Sequence, residues 1–307
     1  SLAASTTGQQ NVAIGFSALE ANTTASYNVG VGAYTLYDNT TGSRNIAMGR
    51  EALANNTTAD YNVAIGYASL FTNTTGHSNT ALGYIALNAN TTASKSTAIG
   101  YAVLANSTTG ANNTGVGWSA LVTNTTGAQN AALGLAALRY NTTGDYNTAI
   151  GRGALEANTT ADNNTAVGGL ALGANDTGAD NTAVGSSSLA ANTTAVDNVA
   201  IGKGAGDHIT TGSNNTIIGK GAGDNITTGA SNIIIGEHID PPSATANSQL
   251  NIGGWITGAA GVINIPEGIT HASLPAGSIV QVVTATNTSS HSTTSTSYSD
   301  VMSVSIS

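Results

Sequence analysis

From residue 11 to residue 231, apolar and polar positions recur every 17 residues without insertion or deletion, giving thirteen full periods. Each unit opens on an asparagine: Asn11, Asn28, Asn45, Asn62, Asn79 and onward to Asn232, with Ser96 the one exception. Counting that residue as position 1, position 4 is aliphatic or Met (Ile14, Val31, Met48, Ile65, Leu82). Position 5 is Gly from Gly15 to Gly236, position 9 is Leu from Leu19 to Leu189, and position 14 is Thr from Thr24 to Thr228. The unit reads N-x-A-I-G-x-x-A-L-x-x-N-T-T-[AG]-x-x.

A 17-residue period is too short for two helices and their loops. Alternating small and apolar residues in N-x-A-I-G predict a short strand, and the Gly supplies the turn after it. Ala18 and Leu19 read as a second short strand, with Asn22-Thr23-Thr24 turning the chain back. Each repeat is then one coil of an all-β, parallel β-solenoid, stacked at about 4.8 Å. Stacking sets like on like, so the Ile and Leu ladders are expected to form a thin apolar core. Ala13, Ala47 and Ala64, being small, are expected to face sister chains. Asn and Thr ladders supply hydrogen bonds from coil to coil.

Segments such as Asn62-Val63-Ala64-Ile65-Gly66 and Asn147-Thr148-Ala149-Ile150-Gly151 resemble coils of trimeric autotransporter adhesin heads. That resemblance implies a left-handed parallel β-roll with three chains side by side. The longer unit, running on to Asn158-Thr159-Thr160, is similar to repeats of phage tail fibres, notably those of cyanophages and marine phages. Asn232-Ile233-Ile234-Ile235-Gly236, Pro241-Pro242 and Gln249-Leu250-Asn251-Ile252-Gly253 resemble the neck that follows such repeats. The 17-residue period and the Asn-Thr-Thr corner depart from the adhesin heads.

The expected organisation is a lead-in (1–10), the repeat solenoid (11–236), a neck or transition (237–268) and a β-hairpin (269–307). Within the last segment, 278–287 and 297–306 alternate as strands, and Pro275 through Tyr298 resembles the start of a small β-domain of phage fibres. The chain therefore reads as a piece cut at both ends from a longer one. Gly206 and Gly223 replace the ladder Leu while Ile209 and Ile226 replace Asn, which reads as a change of shape toward the neck.

Composition narrows the function. Only 7% of the 307 residues are charged and 40% are hydrophobic, which fits neither an ordinary globular domain nor disorder. Seven Lys and Arg against 16 Asp and Glu, a net charge of −9, exclude nucleic acid and disfavour an anionic membrane surface. No apolar run is long enough to insert in a bilayer. With no cysteine there is no disulfide framework.

Candidate chemistry is sparse. His77, His208, His238, His271 and His291 share no zinc-like spacing, so no metal or cofactor is expected. Gly202-Lys203-Gly204-Ala205-Gly206-Asp207 lacks the spacing of a phosphate loop. No catalytic set is found, and the chain does not read as an enzyme.

Tyr67, Tyr84, Tyr101 and Trp118 occupy one repeat position in four successive coils, an aromatic ladder that either contacts a host-surface glycan, supports itself or lies in a subunit interface. Asn22, Asn39, Asn56, Asn73, Asn90, Asn124, Asn141, Asn158 and Asn192 sit in Asn-x-Thr triplets and are formal glycosylation acceptors, though Asn-Thr-Thr is also turn chemistry. The leading expectation is the shaft or head of an extracellular, homotrimeric phage tail fibre, presenting a receptor-binding region on the virion. A trimeric bacterial surface adhesin or glycosylated filament is the alternative, and an ice-binding solenoid with Thr arrays is a third.

Overall fold

The computed structural model describes residue 2, residues 4–259 and residues 261–264. Among these residues there is no helix. Fourteen short strands, β1 (Val12–Ile14) through β14 (Ile233–Ile235), recur every 17 residues, and each pairs in parallel with the next in unbroken register. The described residues thus form a parallel β-solenoid of about fourteen coils. At roughly 4.8 Å per coil the stack is about 65 Å long.

The strand is the only β element of each coil. Ala18 and Leu19, expected as a second strand, lie instead in a run of turns where Ser17 and Leu19 take positive φ of 50° and 53°. The turn aims every Leu of position 9 at the axis, and Leu19 through Leu189 are fully buried.

Two asparagine columns brace the interior. Asn45 is representative of position 1: its backbone N–H donates to Asn28 Oδ1 of the preceding coil (2.9 Å), and its Nδ2 donates across the coil to Ala59 O (2.8 Å). At position 12, Asn141 Nδ2 donates to Asn124 Oδ1 (2.8 Å) and to Gly144 O (3.0 Å). Position 13 adds hydroxyl bonds such as Thr125 Oγ1 to Thr142 O at 2.9 Å. Buried turn backbone is satisfied from coil to coil, as a narrow solenoid requires.

Position 5 must be Gly. From Gly15 to Gly236 its φ lies between +118° and +139°, and on most coils a Cβ there would strike the carbonyl of the Gly one coil away. This accounts for the unbroken Gly column.

The strand residues are sorted opposite to expectation. Position 3, the Ala, is fully buried in Ala47, Ala64 and Ala81 and joins the Leu column in the core. Position 4 points outward: Ile14 is 60% exposed, Leu133 48% and Ile150 41%. The reason is space, because the Leu side chain reaches across the coil and leaves room for only a methyl opposite it. Where position 8 grows to Val103, the facing residue in the next coil shrinks to Gly115, whose Cβ would collide with Val103 Cγ1.

The same bookkeeping explains Gly206 and Gly223. Ile209 and Ile226 are fully buried, as are Ile217 and Ile234 at position 3. A Cβ on Gly206 would lie 2.9 Å from Ile217 Cδ1 and 3.1 Å from Ile209 Cδ1, so these isoleucines fill the volume the Leu vacates. The coil keeps its period and strand register while its core is exchanged.

Both ends of the solenoid extend past the boundaries read from sequence. Residue 2 and residues 4–10 lie against the first coil, with Leu2 N–H donating to Ala18 O and Thr6 N–H to Thr23 O. Beyond Gly236 the stack continues into β15 (Gln249–Ile252), parallel to β14, with Gln249 N–H donating to Asn232 Oδ1 at 2.8 Å. It then turns antiparallel through β16 (Ile256–Ala259) and β17 (Val262–Asn264). The hairpin expected at 278–306 lies outside the described residues.

Candidate functional site

The first candidate is the outward sheet face. Positions 2 and 4 of fourteen coils form two columns, Val12 to Ile233 and Ile14 to Ile235, built from Val, Thr, Ile, Leu, Met and Ala with no charged residue. In β6 (Thr97–Tyr101) and β7 (Thr114–Trp118) the strand lengthens to five residues, which adds position 6 as a third column.

That third column is the aromatic ladder. Tyr67, Tyr84, Tyr101 and Trp118 stack with centroids 5.3, 5.3 and 6.1 Å apart and planes within 17° of parallel. Arg50 lies over the Tyr67 ring at 6.0 Å and Arg139 over the Trp118 ring at 5.8 Å. The ring faces are therefore turned to one another and the two ends carry guanidinium groups. What the column offers outward is ring edges and tyrosine hydroxyls, with each ring 40–48% exposed.

The triplet asparagines are placed differently. Asn22, Asn39, Asn56, Asn73, Asn90, Asn124, Asn141, Asn158 and Asn192 have no exposed surface, and each Nδ2 donates to a buried backbone carbonyl three residues on. A glycan on Nδ2 would displace that bond and open the ladder, so in the folded coil these positions serve as structural corners. The exposed member of each triplet is the Thr of position 14.

The second candidate was not seen in the sequence. A groove of ≈ 320 Å³ near the C-terminal end of the stack is lined by Ser187, Lys203, Asp207, Lys220, Asp224 and His238, which sets two lysines beside two aspartates. Asp207 and Asp224 occupy the same position in successive coils, and their carboxylates are neighbours. His208 Nδ1 is 2.7 Å from Asp224 Oδ1 and 3.1 Å from Asp207 Oδ1. Burial, then the hydrogen bond and charge of Asp224, push the Asp207 carboxyl up, while hydrogen bonds from Asp207 and His208 hold Asp224 low. The hydrogen bond to Asp224 and the charge of Asp207 raise the His208 imidazole. Glu237, bonded to Lys220 at 3.1 Å, is held low by it. The 17-residue register alone would have placed Asp207 over Asp224; ligand spacing sought within a single segment could not.

Comparisons with protein-family models, with curated protein sequences and with solved structures return no match. The class of the chain, a tandem-repeat β-solenoid, rests on the coordinates alone.

Proposed function

We propose that this chain is the shaft of a homotrimeric extracellular fibre of the phage tail-fibre kind, a stiff spacer that carries a host-binding region. One observation supports this above the others: an uncharged, largely aliphatic face runs the whole length of the solenoid and is left open to solvent. Two columns about 7 Å apart, widened by their side chains to about 10 Å and continued for about 65 Å, make a face of roughly 650 Å². That is comparable with the roughly 800 Å² each partner contributes to a stable interface. Only a partner with the same axial repeat can interlock along the full length, and a second copy of the chain has it by construction.

The mechanism is mechanical. Register-locked backbone pairing, two buried amide ladders and an uninterrupted core resist bending and leave few openings for proteases. The tyrosine hydroxyls and ring edges of positions 67–118 are the part of the surface suited to a host glycan.

Light scattering tests the assembly. The native chain is expected near three times 30.2 kDa, and the double variant Ile150→Lys/Ile201→Lys near one. Both residues are already partly exposed, so the coil itself should fold. A native monomer would remove the multichain fibre, and a variant that stays trimeric would move the interface elsewhere.

A further inference from the structure

We propose that Asp207, His208 and Asp224 form a binding site for a divalent transition-metal ion, of the Zn²⁺ or Mn²⁺ class, which staples two adjacent coils. Each of the three offers one ligand atom, and these atoms all lie within 4.8 Å of one another. Asp207 and His208 come from one coil and Asp224 from the next, so a single ion would bridge the stack.

A second feature points to a missing partner. Asp207 Oδ1 has no solvent contact and no hydrogen bond, although it lies 3.1 Å from His208 Nδ1. His208 Nδ1 lies nearer to Asp224, 2.7 Å from Oδ1 and 2.9 Å from its carbonyl oxygen, than to Asp207 Oδ1. That oxygen sits beside a second carboxylate, and two carboxylates side by side cannot both ionise without cost. A cation between them removes that cost.

One imidazole nitrogen and two carboxylate oxygens favour borderline ions over Ca²⁺ or Mg²⁺, which take all-oxygen shells. With metal–ligand bonds near 2.0–2.2 Å, neighbouring ligand atoms of a tetrahedral ion sit about 3.4 Å apart. The present separations of 2.7 and 3.1 Å would need to open by about 0.7 and 0.3 Å. The ion would replace the Nδ1 proton, which leaves to solvent. Of the two lysines on the groove wall, Lys220 is engaged by Glu237 at 3.1 Å, and Lys203 is exposed.

The location has a structural use. In these coils the position-12 amide ladder has ended, because Ile209 and Ile226 stand where Asn stood, and Asn192 Oδ1 is left without a donor. A metal staple one residue away would restore a polar tie between the coils.

The test is titration calorimetry of the full chain, dialysed against EDTA, with ZnCl₂, MnCl₂ and CaCl₂ in turn, beside His208→Asn and Asp224→Asn. Asn already occupies the equivalent place at Asn225, so His208→Asn should fold. The expected result is one Zn²⁺ or Mn²⁺ per chain, with affinity at least tenfold weaker in either variant and Ca²⁺ weaker than both. Hydrogen exchange of residues 200–226 should slow when the ion is added to the native chain and not when it is added to His208→Asn. No binding, or binding unchanged in both variants, would overturn the site; Ca²⁺ binding as tightly as Zn²⁺ would overturn the assigned ion class.

Discussion

The exchange of core residues near the C-terminal end of the stack makes a prediction with an unusual sign. Leu155 is fully buried, so Leu155→Gly opens a cavity. Buried Leu→Ala costs about 2–5 kcal/mol, and releasing a residue from a φ of 50° returns about 1 kcal/mol. Removing the last methyl as well adds about 0.8 kcal/mol, so a net loss of about 2–5 kcal/mol is expected. Adding Asn158→Ile and Ala166→Ile reproduces the natural set Gly206, Ile209 and Ile217, in which two isoleucines fill the space. The added changes remove the bonds of Asn158 Nδ2 to Asn141 Oδ1 (2.8 Å) and Ala161 O (3.1 Å), and that from Asn175 Nδ2 (3.1 Å). These cost about 1–2 kcal/mol net, since the whole coil-to-coil contact is rebuilt as apolar packing. The triple variant should therefore be more stable than Leu155→Gly by about 1–2 kcal/mol, although it carries two more substitutions.

Native-state hydrogen exchange is the suitable assay, because a repeat array need not unfold as one unit. The Leu155 amide, bonded to Ala171 O at 3.0 Å, reports on the altered coil. If the triple variant exchanges there as fast as Leu155→Gly or faster, the isoleucines do not substitute for the leucine and the core exchange is misread.

Three further outcomes follow from the ladders. Ser107 interrupts the position-12 column and leaves both its own Oγ and Asn90 Oδ1 without partners, so Ser107→Asn should stabilise that coil by about 1–2 kcal/mol, visible as slower exchange at Thr91 and Thr108. Gly100→Ala places a Cβ against the carbonyl of Gly117 at a φ of 131°, and should cost more than 2 kcal/mol or prevent folding, read by circular dichroism and yield. Tyr84→Ala takes one ring from the middle of the stack; it should cost about 1 kcal/mol and shift the emission of Trp118 little, because Tyr101 still covers that ring.

The period carried most of the fold. A 17-residue repeat without slippage, an invariant Gly and paired Asn columns determine a coil, its register and its strand, and all are seen as expected. The in–out sorting was not legible, because hydropathy ranks Ile14 and Ile150 above Ala13 and Ala149 as core residues. The deciding quantity is the volume left opposite Leu19 and Leu155, and only coordinates show it. Likewise Asn22 and Asn124 read equally as glycosylation acceptors and as turn residues, and only the coordinates show that the turn directs the amide inward and the second Thr outward. The Asp207–His208–Asp224 group was hidden because its members lie on different coils.

The central claim is that the outward columns of positions 2 and 4 join copies of the chain in register. The chain has no native cysteine, so a spin label at Ile150→Cys, compared with one at Thr160→Cys on the exposed corner column, measures this directly by electron–electron double resonance. A single narrow distance between copies is expected for position 150, clearly shorter than that for position 160. No dipolar coupling at position 150, or a longer distance there than at 160, would contradict it.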